Sequence, residues 1–203
     1  MPHIIDVSDA NGSVDFAKVR QAGVIGVWVK ATEGRTFVSK TYHANLQAAR
    51  SAGLMVGAYH FARPDNNTPK EEARHFLSLL ELRNGDMKPV LDFEQRSNLS
   101  ATQKVKWARD FNHAVEAKAG VFPIFYTNTS IAKALQADKP IGSGLWLADY
   151  GADDGREHVV APPAPWKHIL AHQYTDKGRI DGVKGNCDVS TTEDVRDLVY
   201  AEA

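Results

Sequence analysis

The chain has one cysteine, Cys187, among 203 residues. No internal disulfide can staple it, so stability must come from a buried core. No apolar run approaches the roughly 18 residues of a membrane-spanning helix. The opening Met1-Pro2-His3-Ile4-Ile5-Asp6 lacks the basic start, apolar stretch and small-residue cleavage site of a secretory leader. Excess charge of either sign is missing as well: 24 Lys and Arg face 25 Asp and Glu, a formal net charge of -1. No strong field draws the protein to nucleic acid or anionic lipid. There is no H-E-x-x-H motif, no phosphate-binding P-loop and no G-x-S-x-G elbow. His168 and His172, four apart, could share a face, but with one cysteine and no ligand motif neither a metal site nor a cofactor is expected.

What is present is an ordinary globular composition, 43% apolar and 24% charged, in a length that suits one domain over residues 1–203. Three junctions recur: Ala22-Gly23-Val24, Ala52-Gly53-Leu54 and Ala119-Gly120-Val121. In each, a glycine able to close a helix in the left-handed conformation precedes an apolar run. Strands are expected at 3–7, 24–31, 54–62, 89–93, 121–127, 145–150 and 168–174, with a short one at 187–189. Most are near-continuously apolar, as strands covered on both faces are. Thr68-Pro69-Lys70-Glu71 and Ser100 with Gln103 read as capping boxes opening helices. The rhythm weakens after Asn128, and Ala161-Pro162-Pro163-Ala164-Pro165 marks an extended connection. The expectation is an α/β fold, a β/α barrel of about five β/α units followed by three closely connected strands.

The chemistry concentrates in Val90-Leu91-Asp92-Phe93-Glu94. Side chains alternate along a strand, so Asp92 and Glu94 face the same way, their Cα atoms roughly 6 to 7 Å apart. A lone D-x-E more often solvates a loop or caps a helix. Here Val90-Leu91 would sit in the barrel wall, placing the carboxyls at the strand's C-terminal end, where barrel active sites lie. Repulsion and partial burial would keep one of the two protonated near neutrality. An acid beside a permanent negative charge is the equipment for cleaving a glycosidic bond. Asp6 and Asp188 stand at other strand ends and would be turn residues unless all four carboxyls converge. Tyr59, Tyr126, Trp146 and Tyr150 occupy similar positions and could stack on sugars. So does Tyr174, and Lys30, Arg35 and Arg63 could hold acidic substituents.

Taken in order, Ile5-Asp6-Val7-Ser8, Val29-Lys30-Ala31-Thr32-Glu33-Gly34, Tyr59-His60-Phe61-Ala62-Arg63, Pro89 to Glu94, Phe125-Tyr126-Thr127-Asn128, Leu145 to Tyr150, His172-Gln173-Tyr174 and Asp188-Val189 closely resemble glycoside hydrolase family 25, the Chalaropsis-type lysozymes. The resemblance spans nearly the whole chain. It implies a lysozyme (N-acetylmuramidase) that cuts the β-1,4 bond between N-acetylmuramic acid and N-acetylglucosamine in peptidoglycan. By the same resemblance Glu94 is the general acid, Asp92 steadies a reacting N-acetyl group, Asp6 and Asp188 flank the site, and Gln173 joins the substrate-binding residues. Configuration would be retained through the substrate's own acetamido oxygen. Asp188-Val189-Ser190 departs from the family's Asp-x-Asn at that motif.

Two alternatives stay open at this point: a chitinase-like N-acetylglucosaminidase and a catalytically silent, glycan-binding barrel. The expected partner is the peptidoglycan strand, met by a monomer without membrane insertion or a separate wall-binding module. A leaderless enzyme of this kind suits a phage lysin or a delivered effector, made in the cytoplasm and acting on the cell wall.

Overall fold

A computed structural model describes residues 1–201. Nine strands form one sheet: β1 (His3–Val7), β2 (Val24–Glu33), β3 (Phe37–Val38), β4 (Met55–Phe61), β5 (Val90–Asp92), β6 (Ile124–Asn128), β7 (Leu145–Ala148), β8 (Ala171–Gly178) and β9 (Cys187–Thr191). The order is β1-β9-β8-β7-β6-β5-β4-β2-β3, and a parallel pairing of β1 with β2 closes eight of them into a barrel. The short β3 hangs antiparallel on the end of β2. Seven barrel strands run parallel, and β9 alone runs antiparallel to both its neighbours. Five helices cover the outside: α1 (Phe16–Gln21), α2 (Tyr42–Ser51), α3 (Pro69–Leu77), α4 (Ala101–Ala119) and α5 (Thr129–Leu135). This is the expected β/α barrel.

Local chemistry sets the boundaries. Thr68 and Ser100 each accept from the backbone three residues on, while Glu71 and Gln103 reach back, so both capping boxes form. Gly23, Gly53 and Gly120 all have positive φ at the helix-to-strand turns, as the repeated junction requires. Two details differ from expectation. A seven-residue helix, α5, follows Asn128, which caps it by accepting from the Ile131 amide; it is too short to show a helical period. The strand expected at 168–174 begins at Ala171 and runs on to Gly178, because polar Asp176-Lys177-Gly178 continues the pairing with β9. His168 is thus exposed ahead of the strand and His172 donates from Nε2 to the Asp149 carbonyl at 2.8 Å, so the two do not share a face.

The alternation of strand side chains divides the core in two. Outward residues such as Ile5, Val29, Ala58, Leu91, Phe125 and Leu147 pack under helix residues Val19, Leu46, Phe76, Phe111 and Val115. Between these layers Thr32, His60 and Glu72 form a wholly buried chain of 2.7 Å contacts. Inward residues Ile4, Trp28, Val90, Ile124, Trp146 and Ala171 fill the barrel, and Met87 and Leu198 plug its lower end. The fully buried Trp28 stacks on Trp146 with ring centroids 4.2 Å apart. Two residues further up, the inward positions turn polar on every one of these strands except β7, where Ala148 follows Trp146.

The Trp28 ring occupies the space that a side chain at Gly57 would need: a Cβ there would lie 2.3 Å from Trp28 Cδ1. Gly57→Ala must displace a tryptophan that supports Trp146. We expect it to cost about 1–3 kcal/mol and to lower the thermal midpoint by several degrees. An unchanged midpoint in calorimetry would show that the barrel interior is looser than this packing.

Candidate active site

At the end of the barrel where the parallel strands finish lies a cavity of about 270 Å³. Each strand delivers its inward residue to it: Asp6 from β1, Lys30 from β2, Tyr59 and Phe61 from β4, Asp92 from β5 with Glu94 just beyond it, and Tyr126 from β6. Trp146 comes from β7 with Tyr150 beyond it, Gln173 and Asp176 from β8, and Asp188 from β9. The four carboxyls that the sequence scatters over three segments therefore share one site. Asp6 and Asp188 are direct partners across the antiparallel β1–β9 ladder, where Cβ atoms stand about 5 Å apart and like charges repel.

Burial first, and that crowding second, set the electrostatics. Burial, the Asp188 charge and Glu94 push Asp6 well above the ordinary carboxylate range. Asp188 is raised to about 6 by burial, with Asp176 adding to it. Asp92 is raised well above its usual value by burial, then by Glu94 and Asp6. Glu94 is raised by burial and Asp188, while the Tyr126 hydroxyl and the Lys30 ammonium pull the other way. The expected single protonated carboxyl becomes a ring of acids that restrain one another's ionisation.

Fixed hydrogen bonds set the geometry around them. Gln173 donates from Nε2 to Asp6 Oδ2 at 2.8 Å, and its Oε1 accepts from the hydroxyls of Tyr126 at 2.8 Å and Tyr150 at 2.9 Å. One buried amide thus ties β1, β6, β8 and the loop after β7 together. Trp146 donates to Ser190 Oγ at 2.9 Å, so the serine that departs from Asp-x-Asn has a defined task in the interior. Asp92 lines the cavity, and its Oδ1 is buried without a hydrogen-bond partner, an orphan of a kind that is rare in proteins.

The cations are less free than their charge suggests. Lys30 Nζ lines the cavity but lies 2.6 Å from Glu33 Oε2 and over the Phe61 ring. Arg63 does not line it. Its guanidinium is committed to Glu33 at 2.6 Å and to Gln95. Arg35 is 60% exposed beside Glu71, and Tyr174 packs among the outward residues. Asp176 was not anticipated. The β8–β9 register steps from Gln173 opposite Ser190 to Thr175 opposite Val189, and this extra residue returns Asp176 to the inner face. Glu33, which holds both cations, was legible only as part of a motif.

A closed β/α barrel with clustered acids at its mouth defines the class of carboxyl-dependent glycosidase folds. The chain matches the sequence profile of glycosyl hydrolases family 25 over residues 5–183 and belongs to that family. It is 33% identical over 185 residues to the autolytic lysozyme of Clostridium acetobutylicum, covering 91% of this chain and 54% of that protein. With lysozyme M1 of Streptomyces globisporus the identity is 31%, over 91% of this chain and 65% of the relative. The chain therefore spans between half and two thirds of the length of these two relatives. A crystal structure of the bacterial lysozyme from Streptomyces coelicolor superposes with a TM-score of 0.86 at 30% identity, covering 97% of this chain and 95% of that one.

The raised acids carry a stability consequence. Between pH 3.8 and about 6 Asp188 is protonated in the folded chain and ionised in the unfolded one. The unfolded state binds fewer protons there, so stability is lost as pH rises through that window. Asp188→Asn should melt higher than the unmodified protein at pH 7, and the difference should fade by pH 4. A difference independent of pH in melting curves would refute this.

Proposed function

We propose that the protein is a lysozyme, an N-acetylmuramidase that hydrolyses the β-1,4 bond between N-acetylmuramic acid and N-acetylglucosamine in peptidoglycan. Glu94 is its general acid. The observation that carries this reading is the convergence of Asp6, Asp92, Glu94 and Asp188 on one cavity. Such crowding costs stability and is sustained where function requires it. Membership of family 25 and relatives named lysozyme support the same reaction.

In this mechanism a muramic acid residue lodges among Asp6, Asp92 and Asp188, with the linking oxygen beside Glu94. Glu94 gives its proton to that oxygen as the bond to the anomeric carbon breaks. Asp92 accepts the acetamido N–H and aims the acetamido oxygen at the anomeric carbon, where it forms the new bond. Water then attacks that carbon, yields a proton to Glu94, and restores the sugar with its configuration retained. Negative charge from the surrounding acids favours the oxocarbenium-like transition state. Tyr59, Tyr126, Trp146 and Tyr150 form the sugar-facing wall, Gln173 holds its geometry, and Lys30 meets the acidic substituent. The site of action is the cell wall, and residues 1–201 act as one catalytic unit. No helix among the described residues is long and apolar enough to cross a membrane.

Glu94→Gln keeps the shape and removes the transferable proton. It should fold with an unchanged circular dichroism spectrum and lose at least about 100-fold in release of reducing ends from purified wall. Mass spectrometry of the wild-type digest should find muramic acid at the new reducing ends. Glucosamine there would favour a chitinase-like enzyme, binding without release would favour a silent barrel, and near-normal turnover in the variant would remove Glu94 from its role.

A further inference from the structure

A second cavity, of about 390 Å³, adjoins the first and shares two walls with it, Glu94 and Tyr150. Its other polar lining comes from Asn128, Thr129, Ser130 and Asp149. A general acid protonates the oxygen between two sugars, so it stands at their boundary. The sugar that develops positive charge belongs on the side of Asp6, Asp92 and Asp188, and the departing sugar belongs on the other flank of Glu94.

From this, and resting on the reaction proposed above, we infer that the second cavity receives the leaving sugar and that Asp149 makes it selective for N-acetylglucosamine over an acidic N-acetylmuramic acid residue. The two sugars differ at one place: N-acetylglucosamine has a free 3-hydroxyl, and N-acetylmuramic acid carries a lactyl acid or acidic peptide there. A fixed carboxylate accepts from the hydroxyl and repels the acid.

Asp149 is built for that task. Its Oδ2 accepts from Thr129 Oγ1 at 2.6 Å, and its Oδ1 accepts from the Gly151 amide at 3.0 Å with His158 Nε2 at 3.3 Å. Burial opposes its ionisation, yet these contacts outweigh it and leave the carboxyl below its ordinary range. It is therefore a carboxylate under the conditions in which Glu94 holds its proton. Its side chain is still 23% exposed, and a carboxylate has capacity for about four acceptor contacts. The turn that carries it is tightly seated: Gly151 has φ +52°, and a Cβ there would lie 2.8 Å from the His158 ring.

The test compares two substrates with wild type and Asp149→Asn. One is peptide-free glycan strands, whose lactyl groups are free acids. The other is a 4-nitrophenyl β-glycoside of the N-acetylglucosaminyl-N-acetylmuramic acid disaccharide, whose leaving group has no sugar hydroxyl to hold. The variant should lose kcat/KM on strands about tenfold more than on the aryl glycoside, as expected for one hydrogen bond to a charged group. Free N-acetylmuramic acid should become a better inhibitor of the variant, relative to free N-acetylglucosamine, than of wild type. Thr129→Val, which removes only the hydroxyl that aims the carboxylate, should shift both ratios the same way, and it serves alone if the asparagine variant does not fold. Equal losses on the two substrates, or an unchanged inhibition ratio, would overturn the assignment of Asp149. Wild type that cleaves neither substrate would overturn the muramidase reading itself.

Discussion

The structure turns on one constraint: carboxyl groups from separate strands are forced to face each other at the mouth of a closed barrel. Because eight strands close into a ring, their inward side chains have nowhere else to point. Asp6 and Asp188 are locked opposite one another by the β1–β9 register, and Asp92 and Glu94 share a side of the next acidic strand. In water four such groups would all ionise near pH 4. In a half-desolvated cleft each ionisation raises the cost of the next, and protons are retained. Proton retention above the ordinary carboxylate range is thus a property of the barrel's closure as much as of any single residue.

The surroundings restrain this charge and keep it in place. Gln173 faces Asp6 with its donor and two phenols with its acceptor, so its amide cannot flip without losing three contacts. Trp28 stacks on Trp146, which lines the cavity, and Ser190 anchors the Trp146 indole. On the far wall Lys30 offers the cavity compensating positive charge, while Glu33, itself paired with Arg63, holds it laterally. Arg63 in turn donates its backbone amide to Glu72, part of the buried chain that includes His60 and Thr32. A continuous polar network therefore runs from the helix layer to the mouth of the cavity, and the apolar layers on either side of it leave no room for it to relax.

Much of this was legible in the residues. The glycine junctions marked where helices turn into strands, both capping boxes formed as written, and the alternation through Asp92 and Glu94 placed both in the cavity. Features set by tertiary pairing were not legible. The outward turn of Arg63 depends on Glu33, a residue thirty positions earlier. The inward turn of Asp176 depends on an irregularity in a ladder whose other strand lies a dozen residues on. Helix α5 is too short to carry a period, and β8 keeps its pairing through polar residues because β9 is present to pair with. Ser190, conspicuous in sequence only as a departure from the family pattern, is explained by the Trp146 N–H it accepts.

The central claim is that Glu94 keeps its proton beyond the ordinary carboxylate range because it is partly buried beside other acids. A carbon-13 NMR titration of side-chain carboxyls in the uniformly labelled protein, with the Glu94 resonance assigned by its position in the sequence, tests this directly. The account predicts a Glu94 midpoint clearly above that of the exposed glutamates, in a curve broadened by coupling to its neighbours. A simple curve with an ordinary glutamate midpoint would contradict it.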